Sequence, residues 1–242
     1  MASPVKQFEV NPIIPIEVGG LDISFTNSAA FMLLAVLVTT VLTVGAMRHR
    51  AVVPDRVQAM VEVFYEFVDN MVYENAGDPG RRYLPFFFSM FSFLLLGDLF
   101  GMLPWVGYTF TSHIIILFAL ALFVFVSVTA IGFWVHGLHF FRMFLPPSVP
   151  GALAPLIVPI EIISYLSRPF SLSIRLFANM TAGHVMLKVV GGFVVGLGIV
   201  GGILPLVVLL GISLLEFGIA VVQAYVFTVL SVIYLNDALH LH

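Results

Sequence analysis

The sequence predicts an all-α membrane protein: five membrane-embedded helices plus one amphipathic surface helix, the last two spans forming a long, antiparallel and strongly tilted hairpin. Three observations carry this. The 242 residues are 60% hydrophobic and only 10% charged, where soluble domains carry about 25% charged residues. Apolar runs of the length needed to cross about 30 Å of hydrocarbon recur along the chain. Finally, the few polar and charged residues inside such runs concentrate in the last third, at helical spacings.

A single integral membrane domain of residues 1–242 is expected. Residues 1–27 form an outer N-terminal segment. Met1 to Asp22 mixes polar residues, Pro and apolar residues, without a basic stretch followed by a compact apolar one, so a cleaved signal peptide is not expected. The first span is 28–47, where Ser28 to Met47 runs for 20 residues without a charge and ends at Arg48-His49-Arg50. Residues 55–73 differ. Val57, Met60, Val61, Phe64, Phe67, Val68, Met71 and Val72 recur at i, i+3, i+4 and i+7, with Gln58, Glu62, Glu66 and Asp69 placed opposite, the pattern of an amphipathic helix. Such a helix rests on the membrane surface or against another subunit without crossing, with an ordinary packed surface helix as the alternative.

After Arg81-Arg82 the span 83–103 is apolar apart from Asp98, and Pro104 closes it. Ile114 to Val135 has no titratable group over 22 residues and defines the span 114–135, followed by His136, His139 and Arg142. Prolines between Leu145 and Gly151 break the helix. The last two spans, 155–190 and 205–235, are joined by a stretch holding Gly191, Gly192, Gly196, Gly198, Gly201, Gly202 and Pro205. Close helix packing explains glycines of this kind; a turn explains Pro205 as well. Arg48, Arg50, Arg56, Arg81, Arg82 and Arg142 all fall on one side if each span crosses once. The positive-inside rule makes that side cytoplasmic, with the N-terminus outside and the C-terminus inside.

Arg175, in Ser171-Leu-Ser-Ile-Arg-Leu-Phe-Ala-Asn179, is the residue that points to function. A charge at bilayer depth costs about 2.5 kcal/mol or more on insertion scales, so it survives where it faces a cavity, a pathway or a partner charge. Arginine cannot escape that cost by losing its proton. A structural counter-ion between two helices is the plainer alternative. The first span of the hairpin also carries Glu161, Arg168, Asn179, His184 and Lys188, and the second carries Ser213, Glu216 and Gln223, with Asp237 near its end. Glu161, Arg168 and Arg175 are seven apart, as are Glu216 and Gln223, so each set forms a stripe along a helix. Pro169 is expected to kink the first helix.

Folding the two helices back on each other pairs residues symmetrically about the turn. The pairs Arg175/Gln223, His184/Glu216 and Glu161/Asp237 all centre within Gly198 to Val200, which predicts polar residues facing one another at three depths. His184 lies about 13 Å beyond Arg175 along the axis, toward the outer face, and Glu161 lies toward the inner one. His184 and Glu216 can hand on protons, whereas Arg175 can only strip one from a carboxylic acid brought close. At about 4 Å and an effective dielectric near 20 that attraction is worth about 4 kcal/mol, or about three pKa units. Each proton crossing then draws about 2.3 kcal/mol per 100 mV of membrane potential.

These residues resemble a known family. Ser-Leu-Ser-Ile-Arg175-Leu-Phe-Ala-Asn179-Met-Thr-Ala-Gly-His184 is similar to the signature of subunit a of the rotary F-type ATP synthase. Gly19-Gly-Leu-Asp-Ile-Ser-Phe-Thr-Asn27, Gly101-Met-Leu-Pro104, Thr111-Ser-His113 and Gln223-Ala-Tyr-Val-Phe227 extend the resemblance along nearly the whole chain. It implies a non-catalytic, proton-translocating stator subunit whose partners are a ring of c subunits, peripheral-stalk b subunits and the remainder of the synthase. It implies further that Arg175 engages a carboxyl of each c subunit and blocks leakage between two aqueous half-channels. Glu216 and His184 then serve the outer half-channel, Glu161 the inner, and Asn179 and Gln223 stand on the path. Asp98 either lines the outer half-channel or caps its helix. Many members have Gly where this chain has Ala178. One bacterial branch carries a carboxylate in place of His184 and a histidine in place of Glu216; this chain has the reverse, like the mitochondrial and alphaproteobacterial branch. Its longer polar N-terminus favours the bacterial inner membrane over the mitochondrial one.

The alternative function is a self-contained proton-coupled secondary transporter. Such transporters show internal repeats, and the charged residues of the last hairpin have no counterpart before residue 110. With Cys absent, neither a disulfide framework nor a thiolate metal site is expected. His136 and His139 are three apart but too few for a metal site. No phosphate-binding loop or nucleophile elbow occurs, and no cofactor or nucleic-acid partner is expected.

Overall fold

The computed structural model describes residues 10–18, 21–22, 24–48, 51, 53–103, 109–144 and 154–240. Lys6, His49, Arg50, Pro104 and the proline-rich break after Leu145 lie outside the described residues. Five helices are long and apolar enough to cross a membrane. In chain order the helices are α1 (Asn27–Met47), α2 (Arg56–Arg81), α3 (Leu84–Met102), α4 (Ile114–His136), α5 (Ala154–Gly196), the single turn α6 (Gly198–Gly201) and α7 (Ile203–Leu239). Two 3-10 stretches, Phe110–Ser112 and Gly137–Phe144, flank α4.

The N-terminal segment holds two small antiparallel pairs that the composition did not suggest. Pro12–Ile14 pairs with Phe25–Thr26, and Glu17–Val18 with Leu21–Asp22. They lead into a built helix start: the Thr26 hydroxyl accepts from the Ala29 N–H at 3.4 Å, and the Asn27 side chain accepts from the N–H groups of Asn11 and Ser28. These bonds satisfy donors that the first turn of α1 leaves without intrahelical partners.

The surface helix is longer than the expected 55–73. It runs from its N-cap Asp55 to Arg81, with a break at Gly77, whose φ of 63° lies in the left-handed region that Gly alone enters freely. Its face is also rotated from the expected one. Gln58 is buried, in line with Val61, Val68 and Val72, and bonds to the Ala51 carbonyl and the Glu62 carboxylate. Fourteen residues from Gln58 to Val72 is close to four turns, so Gln58 had to share their face. Val57, Met60 and Phe67 stay exposed. At the far end Arg81 forks onto Asp69 at 2.8 and 3.1 Å, which raises the guanidinium pKa further.

The core lies where α3, α4, α5 and α7 meet, with α2 laid across α3 and α7. Phe87, Phe91, Leu94, Leu117, Leu176, Met180, Phe227 and Leu235 are almost fully buried there. By contrast α1 is lightly packed, with Ser28, Ala35 and Ala46 its only buried residues.

The hairpin arms exceed the expected 155–190 and 205–235. At about 1.5 Å per residue, the 43 residues of α5 span about 65 Å, twice the hydrocarbon thickness. A helix of that length fits a bilayer only when steeply oblique. The turn falls at the glycines: Gly198 has φ of 68°, which ends α5 after Gly196 and starts the short α6. Gly202 packs directly on the carbonyls of Gly198 and Val194, leaving no room for a Cβ.

Candidate proton-path site

Along α5 two stripes run back to back. Tyr165, Leu172, Leu176, Met180 and His184 point into the core, whereas Ile174, Arg175, Ala178, Asn179, Ala182 and Met186 are exposed. Nine residues at 100° each amount to two and a half turns, so Arg175 and His184 lie on opposite faces of one helix. This corrects the expectation of a single polar line in which Arg175 faces Gln223. Arg175 points away from the protein, and no hydrogen bond or ion pair joins it to the half-buried Gln223 or to any other described residue.

The inward stripe meets α7 at Glu216. His184 Nδ1 and Glu216 Oε1 stand 3.7 Å apart, and the two side chains are 7% and 3% exposed. Two glycines make the space. A Cβ on Gly183 would run into the Glu216 carboxylate, and one on Gly101 of α3 would lie 3.0 Å from His184 Nε2 and overlap Thr109. The pair therefore sits in a slot that only glycine on both sides leaves open.

Beside it is a pocket of polar atoms that the protein does not pair. Asp98 on α3 is wholly buried, and neither carboxylate oxygen has a hydrogen-bond partner; among the described residues His184 Nε2 and both Glu216 oxygens are likewise buried and unbonded. Thr111 lies close to Asp98. The Thr111 hydroxyl shares a 2.7 Å bond with Thr109, whose hydroxyl is also 3.0 Å from the Gly97 carbonyl. Asp98 lies one turn before the C-terminal end of α3, where the unpaired backbone groups are carbonyls, and neither of its oxygens has a hydrogen-bond partner, so it caps nothing. Buried polar groups are normally satisfied, so these unbonded atoms call for an explanation such as strain, a bound water or a chemical role.

Two openings approach this cluster from the same end of the helices. One, of about 570 Å³, lies between Leu99 and Met102 of α3, the following Leu103, and Leu210, Ser213 and Phe217 of α7, one turn from Glu216. The other, of about 440 Å³, is bordered by Thr26, Ser28, Ser112, His113 and Phe177. His113 stands at the start of α4, half-buried, and burial draws its pKa below the ordinary imidazole value.

At the opposite end the expected Glu161/Asp237 pair is absent. Asp237 instead binds Arg168, at 3.1 Å. The guanidinium lies over the rings of Tyr165 and Tyr234, at 5.0 and 4.6 Å, and the Tyr165 hydroxyl is 2.6 Å from Thr129 of α4. Between the two inter-helix contacts α5 runs from 168 to 184 and α7 from 216 to 237, 16 residues against 21. The symmetric fold-back does not allow for this unequal advance, which the reach of the arginine side chain spans. Glu161, two turns before Arg168 on α5, has no partner among the described residues. Sequence reasoning also missed Tyr165 and Tyr234, for which aromatic residues near an intramembrane arginine were the available signal; Gly101 and Gly183 stand in the resembling motifs, but their packing roles are not readable from the sequence.

Comparison with known proteins places the chain. A family model described as ATP synthase A chain matches residues 29–236. The chain is 55% identical to "ATP synthase subunit a" of Paramagnetospirillum magneticum and 54% identical to that of Rhodospirillum rubrum, in both cases over the whole of each chain. It is 51% identical to that of Parvibaculum lavamentivorans over 98% of this chain and 93% of the relative. With a full-length match of this kind on an architecture of five apolar helices, the chain belongs to the ATP synthase A chain family.

Proposed function

We propose that this chain is the proton-translocating stator subunit of an F-type ATP synthase, with Arg175 as a fixed cation between an outer and an inner half-channel. The observation that carries the reading is the division of α5 into two faces: Arg175 and Asn179 outward, His184 inward against Glu216. A proton arriving from the outer end passes the opening beside Ser213 and reaches a buried relay of Asp98, His184 and Glu216. From there it must leave the interior for a carboxyl supplied by a c subunit on the Arg175 face. The carboxyl crosses lipid in its neutral form. Near Arg175 it ionises, because an attraction of about 4 kcal/mol at 4 Å and an effective dielectric near 20 outweighs its affinity for the proton.

The inner half-channel begins at Glu161, which is partly exposed, and Gln223 stands between the two faces of α7. Arg175 separates the routes because it never deprotonates and so relays nothing. The chain itself neither makes nor hydrolyses ATP; it shapes where protons load and unload. The partners on this reading are the c subunits on the Arg175 face, the peripheral-stalk b subunits and the rest of the complex. The setting is the bacterial inner membrane, with the N-terminus periplasmic and the C-terminus cytoplasmic.

Purification of the tagged chain from native membranes tests this. Co-purification with a c-ring and a soluble ATPase is expected. A chain that purifies alone and catalyses proton-coupled solute uptake in vesicles would establish the secondary transporter instead.

A further inference from the structure

The short stretch before α4 is docked onto a bare face of α3. Gly97 and Gly101, one turn apart, take the Phe110 ring and the Thr109 side chain so closely that a Cβ at either glycine would overlap them. Thr109, Phe110 and Thr111 are buried, and Asp98, next to Gly97, is wholly so. This packing fixes the two threonine hydroxyls against α3, beside the Asp98 carboxyl.

Counting protons then orders the hydroxyls. A hydroxyl has one proton to give and two lone pairs, whereas a carbonyl only accepts. Thr109 Oγ1 is 3.0 Å from the Gly97 carbonyl, so the Thr109 proton goes there. The 2.7 Å contact between Thr109 and Thr111 takes the Thr111 proton. Thr111 adjoins Asp98 with no proton left for it and can only accept. An ionised carboxylate cannot donate; a carboxylic acid has one O–H to give. The reverse order would have Thr109 donate to Thr111 and Thr111 to an ionised Asp98. It forfeits the bond to Gly97 and buries a charge with no ion-pair partner among the described residues, the costlier arrangement. The titratable groups nearby are His184 of α5, against Gly101, Glu216 of α7, against His184, and His113, two residues after Thr111. Asp98 bonds to none of them.

We infer that Asp98 is held as a carboxylic acid with its proton directed at Thr111 Oγ1, heading a chain that runs through Thr111 and Thr109 to the Gly97 carbonyl. Thr111 and Thr109 are positioning residues that present an acceptor to the acid. The chain ends on a carbonyl, which has no proton to pass on, so it stores the proton of Asp98 and conducts nothing. This deepens the reading proposed above, on which Asp98 belongs to the outer relay: Asp98 starts a cycle loaded and gives a proton before it takes one. The protonation itself does not depend on that reading.

Infrared difference spectra of the whole complex at neutral pH, wild type minus variant, test it. Asp98→Asn keeps the size and offers Thr111 an N–H in place of the O–H; it should delete one carboxylic-acid carbonyl band. Thr111→Val removes the acceptor and should shift that band to higher frequency, toward a free acid. Thr111→Ser keeps the hydroxyl and should leave the band in place. Loss of a carboxylate band instead of an acid band in Asp98→Asn would overturn the inference, and a band unmoved in Thr111→Val would overturn the hydroxyl chain. Dye-monitored pumping in the same samples separates the two readings, since the relay requires pumping to fall in Asp98→Asn. An acid band in the wild type with full pumping in Asp98→Asn would uphold the stored proton and remove Asp98 from the relay.

Discussion

Arg168 and Asp237 lie 3.1 Å apart across the hairpin, the guanidinium between the rings of Tyr165 and Tyr234. This contact gives the two hairpin arginines different characters. Arg168 is neutralised and braced, tying α5 to the end of α7 and, through Tyr165 and Thr129, to α4. Arg175, two turns on, has no ion pair with any described residue and faces outward. A cation left without a partner at bilayer depth requires one from outside the chain. On the proposed function, the fold supplies the scaffold for Arg175 and a c subunit supplies its counter-charge.

Breaking this brace on one side should cost more than removing it. Asp237→Asn leaves Arg168 charged and unpaired. A loss of about 1–2 kcal/mol is expected, less than the 3–5 kcal/mol of a fully buried pair because the side chains are 22% and 37% exposed and solvent screens them. The double change Arg168→Met with Asp237→Leu should recover much of that stability. Thermal unfolding of the purified complex measures both; equal losses in the single and double variants would show that the pair is not coupled.

Arg175→Ala should abolish ATP-driven proton pumping in inverted vesicles while the complex still assembles. The side chain makes no hydrogen bond or ion pair with a described residue, so its loss leaves the hairpin intact. Quenching of a pH-sensitive dye reads the pumping and subunit stoichiometry reads assembly. Pumping at wild-type rates would end the assignment of Arg175 to the path.

Much of this architecture is legible in the sequence because lipid imposes simple rules. An uncharged run such as Ser28 to Met47 has one stable fate in a bilayer, and Gly198 marks the turn because left-handed φ is closed to most residues. The facing of His184 and Glu216 follows from counting back from that turn. What counting missed depends on reach and rotation. Asp237 went to Arg168 because a long arginine side chain spans more than a turn, and Gln58 turned inward because fourteen residues bring it back onto the face of Val72. The opposed directions of Arg175 and His184 were implicit in their nine-residue spacing, but shared depth and shared face are easily confused when only the axis is counted.

The buried pair predicts a rescue. His184→Glu should place two carboxyls in one dry slot and Glu216→His two imidazoles; like groups there perturb each other and titrate together. Each single exchange should impair pumping by about tenfold or more, as for loss of a proton-transfer group. Combining them restores one acid and one imidazole at the 3.7 Å contact, and recovery beyond the product of the single defects is the mark of direct coupling. Pumping rates of the four variants decide it, and a double variant no better than that product would place the two residues on separate routes.

Glycine substitutions separate what this chain needs from what its partner needs. Gly183 is closed from within, since a Cβ there overlaps the Glu216 carboxylate. Gly183→Val should therefore displace Glu216 and remove most pumping, with a stability loss of about 1–3 kcal/mol, typical of overpacking. Gly218, one turn from Leu214 and Leu215 on the exposed side of α7, meets nothing within 4 Å. Gly218→Phe is free of clash within the chain, so incorporation of the subunit into the complex should be unchanged. If the exposed face of the hairpin runs against a c-ring, the added ring should nevertheless slow ATP-driven pumping and hydrolysis together, because the rotor passes over that surface. Wild-type turnover in Gly218→Phe, measured alongside an inactive Gly183→Val, would mean that the moving partner does not contact this stretch of α7.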